Sequence, residues 1–148
     1  MARLRKPALL FGLTFLVVAC SSPAEDLAGT WELVSYAQSG AATAVEPGVD
    51  TTRSPTFTFD GEYVSGNAGC NNFGDNGDFP YTYESGVLNL GVLVKDASEC
   101  EIMTTETFLE DVIWSGSDIT VAIADGSMTW DLGAATLVFE KVTGSGSS

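Results

Sequence analysis

Histidine is absent from the 148-residue chain. That removes the commonest general base, the usual catalytic triads and most transition-metal sites. Bases are scarce as well: six Lys and Arg stand against twenty Asp and Glu, a net charge of −14. Three of the six, Arg3, Arg5 and Lys6, open the chain, and no acid precedes Glu25. Without residues 1–19, three bases face twenty acids over 129 residues, a net charge of −17. A surface that acidic repels phosphate backbones and anionic headgroups, which excludes nucleic acid as a partner. Nor is there an apolar run of the roughly twenty residues a membrane span needs; Ala8 to Val18 is shorter and holds Gly12 and Thr14. The length suits one domain with a core, not two.

What is present begins with an address. A positive segment (Arg3, Arg5, Lys6), an apolar stretch (Ala8 to Val18) and Val17-Val18-Ala19-Cys20 follow in the order of a secretory signal. Small residues lead directly into Cys20, and a Ser-Ser-Pro-Ala-Glu-Asp segment comes next. This resembles the lipobox of bacterial lipoproteins. The resemblance implies a diacylglycerol thioether on the Cys20 sulfur, cleavage before it, and palmitate-type chains that each contribute about 0.8 kcal/mol per buried methylene. Residues 1–19 are then a signal peptide, 20–28 a lipid-anchored tether, 29–142 the folded domain and 143–148 a flexible Gly/Ser tail. The expected location is the cell envelope, outside the cytoplasm, on a periplasmic or outer membrane face. Ser21 carries no aspartate-type retention signal.

Two cysteines remain, Cys70 and Cys100. An even pair in an exported chain reads as a disulfide, because that compartment is oxidising. A loop of about thirty residues closed this way stabilises by roughly 3–4 kcal/mol in the chain-entropy account. A redox or metal-binding pair lacks both a C-x-x-C spacing and histidine.

Short apolar–polar alternations separated by turns fill the rest. Thr30–Tyr36 points Trp31, Leu33 and Ser35 to one side, and residues 37–54, rich in Ala, Gly and Thr, read as a loop. Thr56–Phe59 and Glu62–Gly66 form a hairpin around Asp60-Gly61. Tyr81–Tyr83 with Val87–Leu90, and Ile119–Ala124 with Met128–Leu132, form two more; Thr136–Glu140 closes the domain. Between Glu101 and Trp114 the period changes. Ile102, Thr105, Phe108, Leu109, Val112 and Ile113 share one helical arc, with Glu110 and Asp111 outside it. Ser98 and Glu101 have capping-box spacing, and Gly116 can end the helix. The sum is a mostly β (α+β) protein: a small antiparallel, barrel-like sheet of about eight strands with one core-packed α-helix covering an opening.

Gly29-Thr30-Trp31-Glu32-Leu33, the run Val64-Ser65-Gly66-Asn67-Ala68-Gly69-Cys70-Asn71-Asn72-Phe73, Cys100 followed by Met103, Glu106, Phe108 and Leu109, and the closing Leu137-Val138-Phe139 together resemble the META domain of HslJ-like bacterial lipoproteins. The resemblance spans about residues 28–142. It implies a small β-barrel-like domain with one helix, often lipid-anchored, connected with envelope stress, drug tolerance or secretion, and with no agreed enzymatic activity. Residues 74–81 are longer than the family's usual link, and Asp96–Cys100 departs from its lead-in to the second cysteine.

Several residues invite chemistry. Asn71, Asn72 and Phe73, with Trp114, make a candidate interaction surface, although Gly/Asn clusters are also ordinary turn chemistry. Asp75, Asn76 and Asp78 crowd oxygen ligands around Gly77, but lack EF-hand spacing and its twelfth-position Glu, so no metal is assigned. The carboxylate pairs Asp75/Asp78, Glu99/Glu101 and Glu110/Asp111 invite comparison with glycosidases, yet twenty acids place pairs by chance. Lys95 and Lys141 sit in no Ser-x-x-Lys pattern. The expectation is a non-enzymatic protein without cofactor, attached to the membrane through Cys20, that binds an envelope protein or supports the envelope under stress. The alternative is a lipocalin-like carrier of a small apolar ligand in the barrel. The oligomeric state is left open.

Overall fold

The computed structural model describes residues 23–38, 40–44, 54–75, 77, 79–91, 104–112 and 116–144. One antiparallel sheet dominates. Its ten strands are β1 (Gly29–Gln38), β2 (Ala41–Ala44), β3 (Thr56–Phe59), β4 (Val64–Asn67), β5 (Asn72–Phe73), β6 (Thr82–Glu84), β7 (Val87–Asn89), β8 (Ile119–Ala124), β9 (Ser127–Asp131) and β10 (Ala135–Lys141). They lie in the order β5-β4-β3-β1-β10-β9-β8-β7-β6, with β2 on β1. The sheet curls until its flanks meet: Val64 N donates to Phe79 O at 2.9 Å, Tyr81 N donates to Glu62 O at 3.3 Å, and Tyr63 bridges Pro80. Among the described residues two helices complete it, α1 (Pro23–Leu27) and α2 (Thr104–Val112).

Turn chemistry sets the hairpins. Asp125-Gly126 and Ser85-Gly86 both adopt positive φ at each residue (51° and 79°, 53° and 81°), the pattern of two-residue turns whose twist matches the strands they join. At Asp60 the carboxylate does the work: Oδ1 accepts from Glu62 N at 3.1 Å and Tyr63 N at 2.8 Å. Those bonds, Tyr63's first, hold the Asp60 carboxyl below its ordinary value of 3.8. A group with a lowered folded-state value stabilises above its unfolded value and ceases to as pH falls through the folded one. Asp60→Ala is therefore expected to flatten the acid limb of a melting-temperature profile below about pH 4. An unchanged acid limb would show that the turn does not depend on ionised Asp60.

Strand β1 spans the barrel and explains how the core is filled. Leu33 pairs with Phe139 and Ser35 with Val138, so Val34 is an extra residue in the ladder to β10. A bulge of one residue switches the buried face. Trp31 and Leu33 are buried before it and Tyr36 after it, while Ser35 is only partly buried. The simple alternation ending at Ser35 is corrected accordingly. β3 ladders to the first half of β1 and β2 to the second, so residues 41–44, expected in a loop, form a strand.

The interior is packed with rings. Phe57 lies 5.1 Å from Phe73, 5.0 Å from Trp130 and 5.7 Å from Phe139, centroid to centroid. Trp130 and Phe139 are 4.5 Å apart, and Phe59 meets Tyr81 at 5.0 Å. Such offset and edge-to-face pairs add about 0.5–1.5 kcal/mol each beyond area burial.

Each helix packs at one end of the barrel. At the end where β1 starts, α1 buries Leu27 completely, and Trp31 Nε1 donates to Leu27 O at 2.8 Å. The Asp26 carboxylate lies close enough to Tyr83 on β6 to raise the phenol's pKa further, after burial. Within residues 20–28, expected to be a tether, Pro23–Leu27 is helical and Leu27 packs into the core; residues 20–22 lie outside the described residues. At the other end Phe108 of α2 stacks on Tyr36, centroids 4.1 Å apart and planes 15° from parallel. Thr105, Phe108 and Leu109 are buried and Asp111 is exposed, as the helical arc requires. Among the described residues no helix is long and apolar enough to cross a membrane.

Candidate functional site

The Gly/Asn run after β4 turns the chain beneath α2. Asn67, 7% exposed, organises it: its Nδ2 donates to Asn72 Oδ1 at 2.8 Å and to Cys70 O at 3.4 Å, and its Oδ1 accepts from Gly69 N at 2.7 Å. Ala68 N donates to Asn71 O at 2.8 Å, closing the turn. Gly69 takes φ +121°, and a Cβ on Gly66 would collide with Thr56 O and the Phe73 ring. These glycines are where the backbone needs room.

Asn71 points inward. Its Nδ2 donates to Glu106 Oε1 at 2.7 Å, and the two side chains are 4% and 6% exposed. This bond fastens the turn to α2 across thirty-five positions of sequence. Phe73 is 2% exposed against Phe57. The candidate surface of Asn71, Asn72 and Phe73 is corrected by burial: Asn72 alone is exposed, and the other two serve the interior. Trp114 and Cys100 lie outside the described residues, as does Cys20. Cys70 is half-buried in the turn. Asn67 and Glu106 stand in the sequence only as members of the runs that carry the family resemblance, with no role of their own. Glu106 sits four positions after Ile102 and three before Leu109, on the shoulder of the apolar arc, which is the signal that could have found it.

Asp75 is exposed, while Asn76 and Asp78 lie outside the described residues. Among the described residues no three His, Cys, Asp or Glu side chains are placed to share a metal ion. Glu110 is half-buried and Asp111 exposed on α2; Glu99 and Glu101 are not described. A shallow open groove of about 450 Å³ lies on the outer sheet face, lined by Thr82, Glu84, Val87, Asn89 and Asp118. Asn89 Nδ2 donates to Asp118 Oδ1 there at 3.0 Å. The only Lys or Arg among the described residues, Lys141, holds its Nζ 5.0 Å from the Trp31 ring.

Together these features define a class: a small antiparallel half-barrel, filled by aromatic side chains, with a helix packed at each end. The META domain family matches residues 25–143, and the chain belongs to that family. Solved structures share the fold. An NMR structure of a protein from Burkholderia xenovorans is 24% identical, with a TM-score of 0.62 over 91% of this chain and 99% of that one. The crystal structure of a lipocalin-like protein from Bacteroides uniformis ATCC 8492 is 16% identical, with a TM-score of 0.51 over 79% and 99% respectively. No curated protein matches the sequence.

Proposed function

We propose that the protein is a lipid-anchored, extracytoplasmic META domain that acts without catalysis, by presenting its surface to an envelope protein and so supporting the envelope under stress. The observation that carries this is the filled interior: Trp31, Phe57, Phe59, Phe73, Trp130 and Phe139 occupy the space a carrier would give its ligand. A barrel this small either fills with side chains or holds one small ligand, and with packed rings the remaining recognition surface is the outside. The partner-facing region is the end that carries Asn72 and the exposed face of α2, where the Asn71–Glu106 bond holds turn and helix as one unit.

The anchor is read from Cys20 and its flanks. The disulfide is read as Cys70 with Cys100, the even pair left in an exported chain once Cys20 carries lipid. The lipocalin-like relative keeps a second reading in view, an apolar ligand in the barrel, and a hydrophobic fluorophore that gains no signal with the mature domain would set it aside.

Cys20→Ser tests the anchor. The expected result is transfer of the protein from the membrane fraction to the soluble extracytoplasmic fraction with the domain still folded, because the diacyl chains supply the stable attachment. Membrane fractionation unchanged by the substitution would end the lipoprotein reading. Cross-linked pull-down of the anchored protein from its own envelope, compared with a variant altered at Thr107 and Asp111, then tests the partner-facing end.

A further inference from the structure

We propose that the α1 end of the barrel lies against the headgroups of the bilayer, with α2 and the Asn67–Asn72 turn directed away from the membrane. This inference rests on the lipid-anchoring reading of Cys20 and adds a fixed orientation to it.

Chain reach supplies the argument. Cys20 stands three residues before Pro23, and at no more than ~3.6 Å per residue those three span about 11 Å. The tether cannot lengthen by unwinding α1 without cost, since Leu27 is fully buried and its carbonyl holds Trp31 Nε1. Strand β1 then runs from Gly29 at the α1 end to Gln38 at the α2 end. At ~3.3 Å per residue that is about 30 Å before tilt. The α2 end lies beyond the tether's reach of the headgroups.

The rest of the α1 end follows from the ladders. Gly29 pairs with Phe59, which brings the Asp60–Tyr63 turn there. Lys141 N donates to Gly126 O and Val142 N to Thr30 O, both at 2.9 Å, which adds the Asp125-Gly126 turn and the exit of β10. Two of the exposed large apolar side chains, Tyr63 at 38% and Val142 at 45%, sit at this end. Tyrosine is suited to the headgroup layer, where its ring meets apolar surface and its hydroxyl meets water. Glu25, Asp26, Asp60, Glu62 and Asp125 share this end with Lys141, the one base among the described residues. Held about one Debye length from anionic lipid, they are repelled rather than attracted. The contact is therefore imposed by the acyl chains against that repulsion.

The test uses the full-length chain, lipidated in its host. A photoreactive phenylalanine analogue is placed at Tyr63 or Val142, and in parallel at Thr107 or Asp111 on α2. Lipid adducts are expected to be several-fold more frequent at Tyr63 and Val142. A long Gly/Ser spacer between Ser22 and Pro23 should erase that difference while the protein stays in the membrane fraction. Equal adducts at both ends, or a bias unaffected by the spacer, with the protein membrane-bound, overturn the orientation and leave the anchor intact. Recovery of the unaltered protein in the soluble fraction overturns the anchor itself, and the orientation with it.

Discussion

Phe57→Ala is expected to lower the free energy of unfolding by about 3–5 kcal/mol, a large share of the roughly 5–15 kcal/mol that holds a domain of this size together. Phe57 is fully buried, and three other rings rest on it from β5, β9 and β10. Its removal takes away the transfer energy of a benzyl group and leaves a hole that four strands would have to collapse to fill. Urea denaturation measures it: the midpoint should fall while the slope is retained. Trp130→Phe is the informative companion. It also deletes ring volume from the centre, but the indole Nε1 is buried there without a hydrogen-bond partner. Releasing an orphan donor recovers about 1–3 kcal/mol, which offsets much of the lost packing. Trp130→Phe removes three heavy atoms where Phe57→Ala removes six, so volume alone predicts about half the cost, and the released donor should bring it well below half. A cost of about half or more would mean that the indole nitrogen is satisfied in solution, for instance by a buried water.

The contrast between these two residues bears on how the protein works. Among the described residues, aromatic rings interlock at 4.5–5.7 Å in the barrel centre. Rigidity is the consequence: a core this densely packed transmits strain instead of absorbing it. The Asn67–Asn72 turn inherits that rigidity through Phe73, and α2 inherits it through the Tyr36–Phe108 stack. A surface held from beneath in this way suits recognition by a partner with little ordering cost on this side of the interface.

Much of this was legible in the sequence because local chemistry and the final fold agree. The Asp60, Ser85-Gly86 and Asp125-Gly126 turns each carry their own signal, and their hairpins form where alternation predicts. The helical period over 101–114 likewise places Phe108 and Leu109 inward. The failures have distinct physical causes. Alternation carried on from Trp31 and Leu33 points Ser35 inward only if the ladder is unbroken, and the extra residue Val34 is decided by pairing with β10, a partner about a hundred residues away in the chain. β2 is Ala-Ala-Thr-Ala, a sequence with little strand preference of its own, and it exists because β1 extends beyond β3 and offers a free edge. α1 is too short for any period to show. Its signals were a proline at the first position and two acids in the first turn, and only the burial of Leu27 reveals that it belongs to the core. At the candidate site, composition marked the turn correctly, but the direction of each side chain depends on α2. An asparagine that faces a carboxylate from a distant helix cannot be told from one that faces solvent.

That distant carboxylate makes the last expectation quantitative. Asn71→Asp changes one side-chain group at nearly constant volume, so no cavity term enters. It replaces the amide that donates to Glu106 Oε1 at 2.7 Å with a second carboxylate. Both positions are less than a tenth exposed, so water cannot screen the pair, and breaking a buried polar pairing in this way costs about 3–5 kcal/mol. Asn71→Ala loses the hydrogen bond without adding charge and should cost less, about 1–3 kcal/mol. Acidification should recover part of the Asn71→Asp loss: one proton shared by two carboxyls restores a donor, and the raised folded-state pKa makes stability rise as pH falls. Restoring the donor from the opposite side is the stricter check. In the double variant Asn71→Asp/Glu106→Gln the amide sits on α2 and the carboxylate on the turn, and most of the lost stability should return. If the double variant is no more stable than Asn71→Asp alone, the turn and helix are not joined through this bond. If it recovers, these variants together with Phe57→Ala show whether partner capture tracks the joint between turn and helix or only the overall stability of the barrel, since Phe57→Ala lowers the second while leaving the first in place.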